Sequence, residues 1–247
     1  MKIIATDFDG TLCYNGKVSD EDKEAIKRFR DAGNKFGVVT GRDIEMSVWV
    51  RKTFPDLDFV ISCTGAVICD STGKILYERK QKVDEVLKDI VDFVLKHNVG
   101  SFSITDGFTR YYLDVSGNVK MDFSKIKEFH HCATWFYDHK DTEALVNYIN
   151  DKYPGRFSGY RNGGSVDMPP AGISKSTGIL AYAEMFDAPE IYTVGDNYND
   201  LGMIRDFESF AVSNAIDDVK KAAKHQCNRI ADMIDYIMGE EDNDSKR

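Results

Sequence analysis

Cysteine, proline and tryptophan are all scarce in this 247-residue chain, with five, five and two residues. The cysteines (Cys13, Cys63, Cys69, Cys132 and Cys227) are odd in number and scattered, with no Cys-x-x-Cys pair. That excludes a disulfide framework or a thiolate zinc site as the organising feature and fits reduced, buried thiols in a cytosolic protein. Positive charge is also in short supply: 32 Lys plus Arg stand against 41 Asp plus Glu, a net charge of −9 and a pI of 5.1. A nucleic-acid binder neutralises phosphates with clustered Lys and Arg, and the sequence has no such cluster. No apolar run approaches the roughly 18 residues that a membrane span requires. The opening run Lys2–Thr6 meets Asp7 and Asp9 within a few residues, too short and too charged for a signal peptide. No nucleic-acid or membrane partner is expected, and the location expected is the cytoplasm.

What is present is an ordinary globular composition, 42 % apolar and 30 % charged, long enough for one large domain or two modest ones. Short apolar runs alternate with helical patterns at both ends of the chain. Lys2–Thr6, Phe36–Thr40, Phe59–Ser62, Ile191–Val194 and Phe210–Val212 read as buried strands. Helices are expected from Ser19 to Gly33, where Ser19 and Asp22 form a capping pattern, from Asp43 to before Pro55, and from Ser174 to about Phe186. A last helix over Ala231–Met238 precedes a charged tail, Gly239–Arg247, expected to be disordered. Continuous apolar strands alternating with helices imply a parallel sheet covered on both faces.

The middle has a different texture. Val83, Val86, Leu87, Ile90 and Val94 recur at helical spacing. Phe102–Thr105 and Phe108–Val115 flank Asp106-Gly107, a hairpin signal. A helix over Asp141–Tyr153 and short strands around Phe157–Tyr160 and Ser165–Met168 follow. The expected organisation is an α+β insertion over 82–167 within a parallel α/β domain formed by 1–81 and 168–247. Arg79–Lys82 and Val166–Gly172 are the linkers.

Three apolar runs of the outer domain end in a reactive polar residue: Asp7, Thr40 and Gly195-Asp196. Ligands of an open parallel sheet collect at the carboxyl ends of its strands, so the three are expected to share one pocket. Asp7 and Asp9 are two residues apart, which in extended backbone leans both carboxylates to one side. Close carboxylates call for a cation. With Asp196 and Asp200 added, the hard-oxygen set suits Mg²⁺. His97, His130, His131, His139 and His225 lie in other segments, which makes zinc a poor candidate, and His130-His131 reads as surface or packing. Lys175 opens a helix where the chain returns to the outer domain, placed to balance the acids. Gly10, Gly41 and Gly195 allow backbone to approach a ligand. Acids, Lys, a Thr hydroxyl and exposed N–H groups together describe phosphoryl chemistry.

Asp7-Phe8-Asp9-Gly10-Thr11-Leu12, Thr40-Gly41-Arg42, Lys175 and Gly195-Asp196-Asn197-Tyr198-Asn199-Asp200 resemble, in order, the four motifs of the haloacid dehalogenase (HAD) superfamily. The insertion between the second and third is similar to the C2-type cap of the Cof-type (IIB) phosphatases. The resemblance implies a Rossmann-like core with an inserted α+β cap domain. It implies that Asp7 is the nucleophile, forming a phospho-aspartyl intermediate, and that Asp9 is the general acid and base. It places Mg²⁺ on Asp7, Asp196 and the Asp9 backbone carbonyl, with Asp200 supporting the site from behind or through water. Thr40, Gly41 and Lys175 would hold phosphoryl oxygens, and Asn199 would reach the phosphate or orient Lys175. An acid at position 9 favours phosphoryl transfer, since halide needs no protonation. Two departures stand out: Thr64-Gly65-Ala66 where relatives often have Asn-Gly-Ala, and Ser176 where a Gly commonly follows the Lys.

The expected substrate is a small phosphorylated metabolite, a sugar phosphate ahead of pyridoxal phosphate or a nucleotide, handled by a monomer or weak homodimer. Asp106, Arg110, Tyr160, Arg161 and Asn162 are candidates to touch its non-phosphate part. Arg42 is either a structural ion pair or a substrate contact. A phosphomutase, a non-catalytic phosphometabolite sensor and a two-component receiver domain share parts of this pattern. The receiver is the weakest of them, being about half this length and lacking the Gly-Thr that follows the acidic pair.

Overall fold

All five residues of β1 (Lys2–Thr6) are buried, the pattern of a strand covered on both faces. In the computed structural model, which describes residues 1–54, 56–106, 109–113, 123–188 and 190–244, β1 lies inside an eight-stranded sheet. The chain continues through α1 (Asp20–Asp31), β2 (Lys35–Val39), α2 (Ile44–Thr53), β3 (Phe59–Ser62), β4 (Val67–Asp70) and β5 (Ile75–Glu78). Next come β6 (Gln81–Lys82), α3 (Glu85–Val94), β7 (Val99–Asp106), β8 (Thr109–Tyr112), β9 (Glu128–Phe129), β10 (His131–Phe136), α4 (His139–Lys152), β11 (Tyr160–Asn162) and β12 (Ser165–Met168). The last stretch holds α5 (Lys175–Glu184), β13 (Glu190–Gly195), α6 (Leu201–Asp206), β14 (Glu208–Val212), α7 (Asp217–Ala222), β15 (His225–Cys227) and α8 (Ile230–Asp244).

The large sheet runs β15-β14-β13-β1-β2-β3-β4-β5. It is parallel from β15 to β3, and β4 and β5 add an antiparallel edge. Helices cover both faces. The larger of two apolar clusters among the described residues of this unit includes Ala25, Ile26 and Phe29 of α1 and Met233, Ile234 and Ile237 of α8, and a smaller one joins Ile44, Cys63, Ala66, Val67, Cys69 and Ile173. Ser19 accepts a hydrogen bond from the Asp22 N–H at 3.0 Å and so caps α1 as its sequence indicates. Among the described residues no helix is long and apolar enough to cross a membrane.

A second sheet, β11-β12-β10-β7-β8, is antiparallel throughout. Its own apolar cluster joins Phe102, Ile104, Cys132 and Phe136 to Leu87, Ile90, Leu145 and Ile149 of α3 and α4. The expected hairpin is present as β7–β8; Gly107, Phe108 and residues 114–122 lie outside the described residues.

Several elements differ from expectation. The β4–β5 hairpin is a chain reversal with no two-residue Asn-Gly or Asp-Gly signal. It is specified by pairing, Ile61 with Ile68 and Ile68 with Tyr77. The strand expected around Phe157–Tyr160 begins only at Tyr160, Phe157 making a lone bridge to Pro170. β10 starts at His131, and both histidines are buried. Helix α8 continues through Gly239 to Asp244 into the segment expected to be disordered; a helical Gly costs only about 1 kcal/mol and Glu is a good helix former. Residues 245–247 are outside the described set.

Candidate active site

Parallel register assembles the site. Thr6 of β1 is level with Val194 of β13 and with Val38 of β2, so Asp7, Thr40 and Asp196 emerge side by side at one sheet edge. The Asp7 N–H donates to Val194 O at 2.9 Å and the Thr40 N–H to Ile61 O at 2.8 Å, tying both to neighbouring strands. Lys175 is the first residue of α5, behind the N-cap Ser174, whose hydroxyl accepts from the Thr177 N–H in a capping box.

Lys175 is 1 % exposed, an unusual burial for a lysine, and its ammonium explains it. Nζ donates to Asp7 Oδ1 at 2.5 Å and to Asp200 Oδ1 at 2.6 Å. Burial works against the charged lysine, but Asp200 and Asp7 outweigh it and hold it protonated above its ordinary range. Asp200 also accepts from the Asp196 and Asn197 N–H groups at 2.9 and 3.0 Å. Asp196 Oδ1 accepts from the Thr11 hydroxyl at 2.8 Å. A Cβ on Gly10 would lie 2.9 Å from Asp196 Oδ2, and Gly10 has φ of +85°, so only glycine fits there.

Asp7, Asp196 and Asp200 bring carboxylate oxygens within 4.8 Å of one another. Burial pushes Asp7 up, Asp200 and Asp196 push the same way, and Lys175 opposes them. Asp196 is also raised, by burial and then by Asp200. Three acids against one ammonium leave the cluster short of positive charge, and an oxygen-only donor set of this kind fits Mg²⁺.

Asp9 departs from the expectation that it leans with Asp7. Its carboxylate is 55 % exposed and lies in a bidentate pair with Arg42, at 2.6 and 2.7 Å, outside the acidic cluster. The chain leaves extended geometry right after β1, bridging Asp9 to Cys13, so the alternation that would align the two acids ends at Asp7. Arg42 is thereby a partner of Asp9. Thr40 is buried, its hydroxyl accepting from the Arg42 N–H at 3.1 Å.

The second sheet closes over this edge. Asp167 of β12 is buried, and its Oδ2 accepts from Asn199 Nδ2 at 3.2 Å and Asn162 Nδ2 at 3.3 Å. A Cβ on Gly41 would lie 2.8 Å from the same oxygen. His131 Nε2 stands 3.5 Å from Asp167 Oδ1 and 3.4 Å from Thr64 Oγ1. Burial alone would raise Asp167, but His131, Lys175 and Asn199 hold its carboxyl below the ordinary range. Asn199 thus faces Asp167, and Asp200 is the residue that orients Lys175. Of the residues expected to face a substrate, Asn162 reaches the site. Arg110 pairs with Asp43, the Tyr160 hydroxyl donates to Ile173 O at 3.0 Å, and the Arg161 guanidinium stacks 4.6 Å from the Tyr198 ring centre. These three tie the two units together. His131 and Asp167 were missed by motif reading. The usable signal for Asp167 is a charged residue between Val166 and Met168 in the strand-like run Ser165–Met168.

A family model for haloacid dehalogenase-like hydrolases matches residues 4–233. The chain belongs to that family. Within it the chain is a Cof-type phosphatase. A 5-amino-6-(5-phospho-D-ribitylamino)uracil phosphatase of Bacillus subtilis is 27 % identical, covering 96 % of this chain and 98 % of its own. A phosphoglycolate phosphatase of Pyrobaculum aerophilum is 25 % identical, covering 90 % of this chain and 87 % of its own. The solved structure of an HAD subclass IIB sugar phosphatase shares the fold, with a TM-score of 0.80 at 20 % identity over 96 % of this chain and 99 % of the other. This HAD-like chain therefore carries its buried Asp7–Lys175–Asp200 contact on a fold shared by phosphatases.

Proposed function

We propose that this HAD phosphatase is Mg²⁺-dependent and hydrolyses a small phosphorylated metabolite, a sugar or sugar-alcohol phosphate, through a phospho-aspartyl intermediate on Asp7. The observation that carries the reading is the placement of Lys175 against Asp7 and Asp200, with Asp196 alongside. Support for the substrate class comes from the B. subtilis relative, whose name describes a phosphorylated ribityl chain.

Asp7 and Asp196, with the Asp9 backbone carbonyl, would hold Mg²⁺. The ion supplies the positive charge that a −9 protein otherwise lacks for a phosphate dianion. One oxygen of Asp7 is engaged by Lys175 and the other attacks phosphorus. The P–O ester bond breaks, its electron pair stays on the leaving oxygen, and Asp9 delivers a proton there. That step requires Asp9 to turn from Arg42 toward the ester oxygen. Asp9 next takes a proton from water, the water oxygen attacks phosphorus, and the bond to Asp7 breaks to release inorganic phosphate. Thr40, the Gly41 N–H, Lys175 and Asn199 hold the phosphoryl oxygens. Residues 82–167 act as a cap that excludes bulk water.

Phosphate release from p-nitrophenyl phosphate and a sugar-phosphate panel, with Mg²⁺ and with EDTA, tests this. Release that requires Mg²⁺ is the expected result. Release unchanged in EDTA removes the metal, and no release from any compound by folded, metal-supplied protein overturns the reading.

A further inference from the structure

Asp167 presents a difficulty for a phosphate site. Its carboxylate sits against Asn199 and Gly41, both assigned above to phosphoryl oxygens, and its charge would repel a dianion there. It comes from the inserted unit, so it meets the substrate from the leaving-group side. A carboxylate only accepts hydrogen bonds and has room for about four; Asn162 and Asn199 supply two. His131 Nε2 lies 3.5 Å from its other oxygen.

The sheet face that bears Asp167 continues the pattern. Asp167 is level with Ala133, which is level with Ser103, and one pair further along Trp135 is level with Ser165 and Ser101. Paired residues project to one face, so beyond Asp167 this face carries Ala133, Ser103, Ser101 and Ser165, with Asn162 beside Ser165, and ends at Trp135, which is 41 % exposed. The two pairs are about 7 Å apart along the strand, the span of a short carbon chain.

Building on the phosphatase reading, we propose that Asp167 is a specificity residue. It accepts a hydrogen bond from a hydroxyl on the carbon next to the phosphate ester, and so selects polyol-like leaving groups that run along the Ser103–Ser165 face.

The test compares ribitol 5-phosphate with n-pentyl phosphate, the same five-carbon chain without hydroxyls, in the wild type and in Asp167→Asn. The wild type should prefer ribitol 5-phosphate in kcat/KM by about tenfold or more. Asp167→Asn should shrink that preference by about 10- to 100-fold, the scale of one hydrogen bond to a charged acceptor. If both esters lose activity alike, Asp167 only holds Asn199 in place and the proposal fails. A wild type that hydrolyses p-nitrophenyl phosphate without preferring the ribitol ester overturns it too, with no variant needed. Should Asp167→Asn not fold, Asp167→Ser makes the same comparison. Failure to hydrolyse any of the three compounds is instead the failure of the phosphatase reading.

Discussion

Lys175 Nζ lies 2.5 Å from Asp7 Oδ1, a contact between residues 168 positions apart in the chain. Both partners are almost wholly buried, and Asp200 completes the contact from the other side at 2.6 Å. In the proposed mechanism the same ammonium serves both stability and chemistry.

Lys175→Met should separate the two. Removing one partner of a buried ion pair leaves uncompensated charge and costs about 3–5 kcal/mol. Turnover should fall by about 10²–10³-fold, as for loss of one charge-stabilising donor. Adding Asp200→Asn to Lys175→Met should recover part of the urea midpoint and none of the turnover. An unchanged midpoint in the single variant would contradict the ion-pair account.

Asp7→Asn should keep the fold and lose turnover by about 10⁴-fold or more, since nucleophile knock-outs reach about 10⁶. Circular dichroism and phosphate release check the two halves. Near-normal Mg²⁺-dependent rates would remove Asp7 from the nucleophile's role.

Asp196→Ala acts on the same cluster by a different route. It should shift the Mg²⁺ concentration for half-maximal activity upward by about 10- to 100-fold. An unmoved Mg²⁺ titration would rule Asp196 out as a ligand.

Thr64 occupies the left-handed region, with φ of +56°, where a β-branched side chain is strained by about 1–3 kcal/mol. Asn tolerates that conformation better. Thr64→Asn should therefore stabilise the protein by about 1 kcal/mol, measured by urea unfolding. A loss of stability would mean that the Thr64–His131 contact outweighs the strain.

A pH test concerns the inserted unit. Asp89 of α3 accepts from Lys152 at 3.0 Å and Tyr153 at 2.8 Å, and from the Tyr148 hydroxyl. These hydrogen bonds, that of Tyr148 foremost, hold its carboxyl down at about 2. A carboxyl lowered in the folded state contributes fully above its unfolded value of about 3.9 and less as pH falls toward the folded one. Asp89→Asn should lower the urea midpoint at pH 7, and the gap to wild type should narrow from pH 4 down to pH 2. A gap of constant size would contradict the assignment.

The main sheet was legible because its strands are buried on both faces and read as continuous apolar runs. Lys2–Thr6 and Phe59–Ser62 have the same bounds in sequence and structure. The short hydrophobic pieces His131–Phe136 and Val67–Glu78 were not legible. Their pattern is shared with loops, and only pairing across the sheet makes them strands. Asp9 shows the limit of local geometry. Alternation would align it with Asp7 only in extended backbone, which ends before Asp9, and Arg42, 33 residues away, decided where it points.

By itself the amino-acid sequence determined which chemistry is available: acids at Asp7, Asp9, Asp196 and Asp200, one lysine at Lys175, and glycines at Gly10, Gly41 and Gly195 beside the strand ends. These follow from residue type and from the order of strands and turns, which are local properties. Tertiary structure alone decided that Lys175 bridges Asp7 and Asp200, that Arg42 grips Asp9, and that Asp167 and His131 of the inserted unit stand over Asn199 and Thr64. Each of those contacts joins distant segments, and its energy depends on burial and on the charge of neighbours that no local pattern encodes.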